Sequence, residues 1–296
     1  MKREILINGG RRETRVAILE DDRLVELLYD RPDQRRSLGD IYLGRVDAVL
    51  PGIQAAFVDI GLEKSAFLHA SDLLEPEEDE DPDERDDDTD VPDEDALEAS
   101  NGNPRDKAAP RQREVDHRSA VPNIQDLLKK GQTILVQVTK EPISTKGSRV
   151  TAQISLPGRF LVYMPYASRI GVSRKIESRE QRSKLREMVR KVLPEDAGGV
   201  IVRTVAEGVT EEQVTREVES LLGLWKKINR KKGFVRAPAL VQRETSLTRG
   251  IIRDLFSAKV DALYVDTKEL FNEVEQYLEQ IDPDLMTRVH HYTEDQ

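Results

Sequence analysis

The sequence predicts an α+β protein of several compact units. Three observations carry this. Its 296 residues exceed what one small domain needs and allow two or three units, each with its own core. Apolar residues recur with a period of two before the middle of the chain and at helical spacing after it. Beyond residue 238, strand-like and helix-like runs alternate, the pattern of an α/β layer.

The elements follow in order. Ile5 and Ile7, then Val16 and Ile18, then Leu24, Leu27 and Leu28 mark three short apolar runs. Gly9-Gly10 and Asp21-Asp22 separate them, as in a strand meander. A second strand set begins at Asp40 with IYLGRVDAVL, turns at Pro51-Gly52 into IQAAFVDIG, continues as KSAFLHA and resumes in TILVQVTKE. Short strands with glycines at their bends predict a small Greek-key barrel of the OB type.

Residues 75 to 119 interrupt this barrel. Between Glu75 and Glu98 stand 16 Asp or Glu and one Arg. Taking this net −15 away from the chain's −10 leaves +5 on the other 272 residues, so the remainder is mildly basic. A segment so charged and so poor in large apolar side chains cannot offset its ordering entropy and is expected to be disordered. Its composition reads first as a solvated spacer. The sharper alternative is an RNA mimic competing for a basic groove.

Past residue 150, the strand-like FLVYMP and GVIVRTV flank a charged stretch in which Ile176, Leu185, Met188, Val189 and Val192 form a helical apolar stripe. Its Arg and Lys residues read as a solvated face before they read as an RNA contact. Thr210 and Gln213 have capping-box spacing, followed by Val214, Val218, Leu221, Leu222, Trp225 and Ile228 on one helical face. Trp225 reads as the core anchor of that helix. Strand PALVQ, helix SLTRGIIRDLFSAK, strand ALYVDT and helix KELFNEVEQYLEQI complete the chain.

Several chemistries are unsupported. There is no cysteine, which excludes disulfides and thiolate metal sites and suits a reducing cytosol. No signal-peptide pattern or long apolar run appears, so the expected location is cytoplasmic. His69, His117, His290 and His291 do not have zinc-site spacing, and no phosphate-binding glycine motif follows a strand. The first strand lacks the central carboxylate that a two-metal nuclease of the ribonuclease H type requires. Asp59, Asp261 and Asp266 read as turn or strand-end residues. No catalytic or metal-binding residue is predicted in this chain.

Binding chemistry is better represented. Phe57 and Phe67 lie in barrel strands near Lys64, Lys140 and Lys146. Rings that stack on bases beside cations that follow phosphates would hold single-stranded RNA. From spacing alone, both rings are expected inside the barrel. Arg203 and Thr204, on the strand GVIVRTV near Gly198 and Gly199, offer a guanidinium fork and a hydroxyl. With free backbone amides and close access at Gly158, they suit a terminal phosphate. In isolation such a pair reads as an ordinary surface pair.

These residues stand in a sequence that resembles the ribonuclease E/G family of bacterial endoribonucleases over nearly its whole length. The carrying segments include REILIN, TRVAILEDDRLVEL, IYLGRVDAVLPGIQAAFVDIGLEKSAFLHASDL, KKGQTILVQVTKEPISTKGSRVTAQISLPGRFLVYMP, GVSRKIE, GVIVRTVAEG and RAPALVQRE. The resemblance implies a degenerate ribonuclease-H-like α/β subdomain built from residues 1–37 and 249–296. Inserted into it would be an S1-like OB-fold β-barrel at 38–152 and a 5′-sensor subdomain at 153–248. Phe57, Phe67 and Lys146 match family positions that grip single-stranded RNA, with Lys140 nearby. Arg203 and Thr204, assisted by Gly158 and Val162, match the site for an RNA 5′-monophosphate, where bulkier triphosphate ends fit poorly.

The resemblance also implies magnesium-dependent cleavage in mRNA decay and rRNA processing, and a homo-oligomer joined through a CPxC-type zinc link. In that family the magnesium-binding aspartates and the link follow the second ribonuclease-H-like segment, beyond HHYTEDQ. This chain alone is therefore expected to bind single-stranded, preferably 5′-monophosphorylated RNA without cutting it. The alternative is a standalone RNA-binding or regulatory protein without nuclease activity.

Overall fold

The computed structural model describes residues 1–31, 36–74, 122–144, 146–257 and 259–293. The acidic segment 75–119, with both of its readings, lies outside the described residues.

The chain opens with the antiparallel strands β1 (Arg3–Gly9), β2 (Thr14–Glu20) and β3 (Arg23–Asp30). Alternation turns Ile5, Ile7, Val16 and Ile18 to one face, where they are buried. The second hairpin turns at Asp21 and Asp22, both at positive φ, the backbone a two-residue turn needs to match strand twist. Asp21 also accepts the Lys2 N–H at 2.8 Å.

Next come β4 (Ile41–Leu50), β5 (Ala55–Asp59), β6 (Ala66–His69), a single helical turn α1 (Ile124–Leu127), β7 (Thr133–Lys140) and β8 (Arg149–Thr151). The order β4-β5-β6-β8-β7 closes through a β4–β7 pairing into a five-stranded barrel, compatible with an OB-like fold. Its core takes alternate residues from each strand, among them Val46, Val58, Leu68, Val136 and Val150, and Ile124 joins them.

A second sheet follows, with β9 (Leu156–Pro157), β10 (Leu161–Met164), β11 (Ile170–Val172) and β12 (Gly199–Val202) in the order β11-β12-β10-β9. Helices α2 (Arg179–Val192) and α3 (Glu211–Phe234) pack with it. Leu185 and Val189 of α2 and Val214, Val218 and Leu221 of α3 meet Leu161, Tyr163, Val200 and Val202 in one core. The expected capping box at Thr210 and Gln213 is present. Trp225 packs partly buried against this core, edge-on to Tyr166 at 5.6 Å. The strand expected to carry Arg203 and Thr204 stops at Val202. Arg203 instead caps a single 3₁₀ turn over Thr204–Ala206.

Strand β13 (Ala239–Gln242) then returns to the barrel and pairs with the first half of β4. Helix α4 (Leu247–Asp254), β14 (Ala262–Val265), α5 (Lys268–Ile281) and β15 (Val289–His291) follow. Strands β14 and β15 extend the opening meander in parallel, giving the order β15-β14-β1-β2-β3. Ile252 of α4, Phe256 just after it, and Val274 and Leu278 of α5 cover its apolar face in a shared core. The first and last described elements thus share one sheet.

Candidate nucleic-acid interface

On the barrel, Phe57 and Phe67 occupy paired positions of β5 and β6. Their neighbours Ala56, Val58, Ala66 and Leu68 fill the interior, so both rings point outward and are half-buried. The expectation from spacing that they fill the core is overturned. The period-two pattern was right, but the small alanines take the inner positions. The rings meet edge to face with centroids 6.1 Å apart.

An open depression of about 750 Å³ surrounds them, lined also by Lys64, Lys140, Lys146 and Arg149. Lys140 stands opposite Arg149, which stands opposite Phe67 in the strand register. The rim turn carrying Lys146 is held by the Lys146 N–H donating to Ile143 at 3.0 Å. Lys64 donates to the Ser144 carbonyl at 3.0 Å. Gly147 is required here, because a β-carbon would come within 2.2 Å of the Ser65 carbonyl oxygen. Arg149 is committed to Asp72 at 3.0 Å, whereas Lys140 and Lys146 have no ion-pair partner among the described residues. The depression therefore offers aromatic surface beside two uncommitted ammonium groups.

The second sheet presents a different constellation. The Arg203 guanidinium donates through Nη1 to the Gly158 carbonyl at 2.8 Å and forms an ion pair with Asp254 at 2.7 Å. The Thr204 hydroxyl lies 2.9 Å from that of Ser173. Arg203, Thr204 and Gly158 are thus brought together. Val162 sits opposite Ile201 on the neighbouring strand, half-buried at the same sheet.

The Gly158 N–H donates to the Leu161 carbonyl at 2.8 Å. Its missing side chain makes room for Glu217, whose Oε1 would lie 2.7 Å from a β-carbon. Glu217, on the buried face of α3, accepts the N–H groups of Arg159 and Phe160 at 2.5 and 2.8 Å. Burial raises its pKa although these donors pull it down.

A model of the ribonuclease E/G family matches residues 155–296. Ribonuclease G of Haemophilus influenzae is 36% identical over 293 residues, covering 99% of this chain and 53% of its own. Ribonuclease G of Escherichia coli K12 matches to the same extent. Ribonuclease E of a Nostoc species is 36% identical over 265 residues, 89% of this chain and 32% of its own. The chain belongs to the ribonuclease E/G family. It spans about half the length of the ribonuclease G relatives that it matches.

Within this family member, sequence reasoning missed four residues around Arg203. Arg159 is buried and donates through Nη1 to the carbonyls of Ile252 and Phe256 at 3.1 and 2.5 Å, and it pairs with Asp282 at 3.3 Å. Burial lowers its pKa against the pull of Asp282. Arg253 pairs with Glu244 at 2.8 Å and with Asp254 at 3.0 Å. Burial pushes the Asp254 carboxyl up, but Arg253 and Arg203 together hold it below its ordinary range. Glu217 is the fourth. Its signal was present in the sequence, since a carboxylate between Val214 and Val218 falls on the apolar stripe of the helix.

Asp59, Asp261 and Asp266 serve as turn and strand-end acceptors for the N–H groups of Gly61, Arg3 and Gly9, at 2.9, 2.7 and 2.8 Å. Among the described residues no three His, Asp or Glu converge as metal ligands. Among the same residues, no helix is long and apolar enough to cross a membrane.

Proposed function

We propose that this chain is an RNA-recognising part of a ribonuclease E/G-type endoribonuclease, taking single-stranded RNA in the barrel depression. The observation that supports this most is the outward Phe57–Phe67 pair beside uncommitted Lys140 and Lys146. Unpaired bases present π-faces to the rings while phosphates meet the ammonium groups, a mode that a duplex with stacked bases cannot use. Arg203 and Thr204 read a 5′-monophosphate. A guanidinium fork with a neighbouring hydroxyl suits the planar oxygen pairs of a phosphate monoester. Cleavage in mRNA decay and rRNA processing, magnesium dependence, homo-oligomer formation and a cytoplasmic setting belong to the same reading of the whole enzyme.

The test is equilibrium binding of one short single-stranded RNA carrying either a 5′-monophosphate or a 5′-hydroxyl, with its duplex as a control. The single strand should bind better than the duplex, and the monophosphate better than the hydroxyl. Arg203→Ala should remove the monophosphate advantage, about 1.5 to 3 kcal/mol for a charge-assisted contact, and leave hydroxyl RNA unaffected. Equal losses on both RNAs would refute phosphate reading at Arg203.

A further inference from the structure

Arg203 is not a loose surface cation. Both bonds that fix its side chain use Nη1, one to the Gly158 carbonyl at 2.8 Å and one to Asp254 Oδ1 at 2.7 Å. A guanidinium has five N–H donors, two of them on each Nη. The Nε and Nη2 edge, which is the fork that meets two oxygens of a phosphate, has no partner among the described residues. The Nη1 contacts therefore restrain the guanidinium while leaving the donors of that edge unspent.

Asp254 is itself held. Arg253 donates to its two oxygens from Nε at 3.1 Å and from Nη2 at 3.0 Å, and the third Arg253 nitrogen, Nη1, donates to Glu244 at 2.8 Å. Asp254 is the last residue of α4, which packs on the five-stranded sheet, whereas Arg203 follows β12 of the four-stranded sheet. The aim of Arg203 thus depends on a helix from the other layer of the molecule. Arg159 secures that seam by grasping the Ile252 carbonyl of the same helix.

We propose that Asp254 is a positioning residue for 5′-phosphate recognition, fixing the Arg203 guanidinium so that its Nε/Nη2 edge faces the ligand. This rests on the reading of Arg203 as the phosphate-binding residue. A freely rotating arginine must be ordered when the ligand arrives, at a cost in side-chain entropy. An arginine anchored through Nη1 has already been ordered by folding. The anchor carries a negative charge, which in simple Coulomb terms opposes an anion at the site. Positioning and charge therefore make opposite predictions for its removal.

The experiment compares binding of 5′-monophosphate and 5′-hydroxyl forms of one single-stranded RNA by the full chain and its Asp254→Ala, Glu244→Gln, Arg203→Ala and Arg203→Ala/Asp254→Ala variants, with thermal unfolding of each. Asp254→Ala should reduce the monophosphate preference about tenfold with hydroxyl RNA binding unchanged. Glu244→Gln disturbs the same arginine pair without touching Arg203 and should preserve the preference. In the Arg203→Ala background, removing Asp254 should have no further effect. A preserved or increased preference in Asp254→Ala overturns positioning. So does a loss in Glu244→Gln equal to that in Asp254→Ala, which would mean general loosening. If Arg203→Ala itself keeps the preference, the phosphate reading fails, and the positioning proposal fails with it. If Arg203→Ala loses the preference but Asp254→Ala does not, the positioning role alone fails.

Discussion

The barrel depression and the Arg203 constellation both present basic side chains, yet they are built in opposite ways. In the depression two lysines are uncommitted and two rings stand half-exposed on short strands, so ligand binding breaks few contacts already made. Around Arg203 each arginine named has a carboxylate partner: Arg203 with Asp254, Arg253 with Asp254 and Glu244, and Arg159 with Asp282. The first arrangement suits affinity for many sequences, because stacking and point charges tolerate variation. The second suits discrimination, because a fixed fork rewards only a ligand that matches it. On the proposed reading, a chain with both would hold RNA along its length and inspect one end.

The comparison can be broken most forcefully at Arg159. Its side chain is buried, donates to two carbonyls and meets Asp282 across the seam between two sheets. Arg159→Ala should cost about 3 to 5 kcal/mol of stability, since it strands a carboxylate and two carbonyls. Urea unfolding measures this. A loss below about 1 kcal/mol, comparable to that of a surface pair, would show that the seam does not hold the second site together.

A smaller effect is expected in the barrel, and of a different kind. Phe57→Ala or Phe67→Ala should weaken single-stranded RNA binding by about 1 to 3 kcal/mol if each ring stacks on a base. Stability should fall less than for a core phenylalanine, whose truncation costs roughly 3 to 5 kcal/mol. A core-sized stability loss without a binding loss would restore the interior role that spacing alone suggested.

That reversal shows what the sequence could and could not carry. The meander, the capped helix beginning at Glu211, and the alternating strands and helices of the last 60 or so residues were all legible, because hydrophobic period and capping chemistry are local. The facing of Phe57 was not. Alternation fixes that Ala56 and Phe57 point opposite ways, but which of them faces the interior depends on how the strands close. Arg203 and Thr204 were legible as a pair, whereas their place in a 3₁₀ turn was not, since the strand ends where β11 and β10 stop pairing with it. Asp254 and Arg159 were invisible. Their partners lie 51 and 123 residues away in the chain, respectively, and nothing local marks such a pairing.

The finest distinction between the two regions is their response to salt. Each phosphate neutralised on a single strand adds roughly 0.7 to the slope of log affinity against log salt. Lys140→Ala and Lys146→Ala should each reduce that slope by about this amount, while keeping the preference for a 5′-monophosphate. Arg203→Ala should do the reverse for hydroxyl RNA, leaving its slope unchanged because no terminal phosphate is present to engage the fork. Binding isotherms between low and moderate salt separate the two cases. If the lysine variants abolished the monophosphate preference, the two regions would be reading the same phosphate. The division between a gripping surface and an inspecting one would then collapse into a single site.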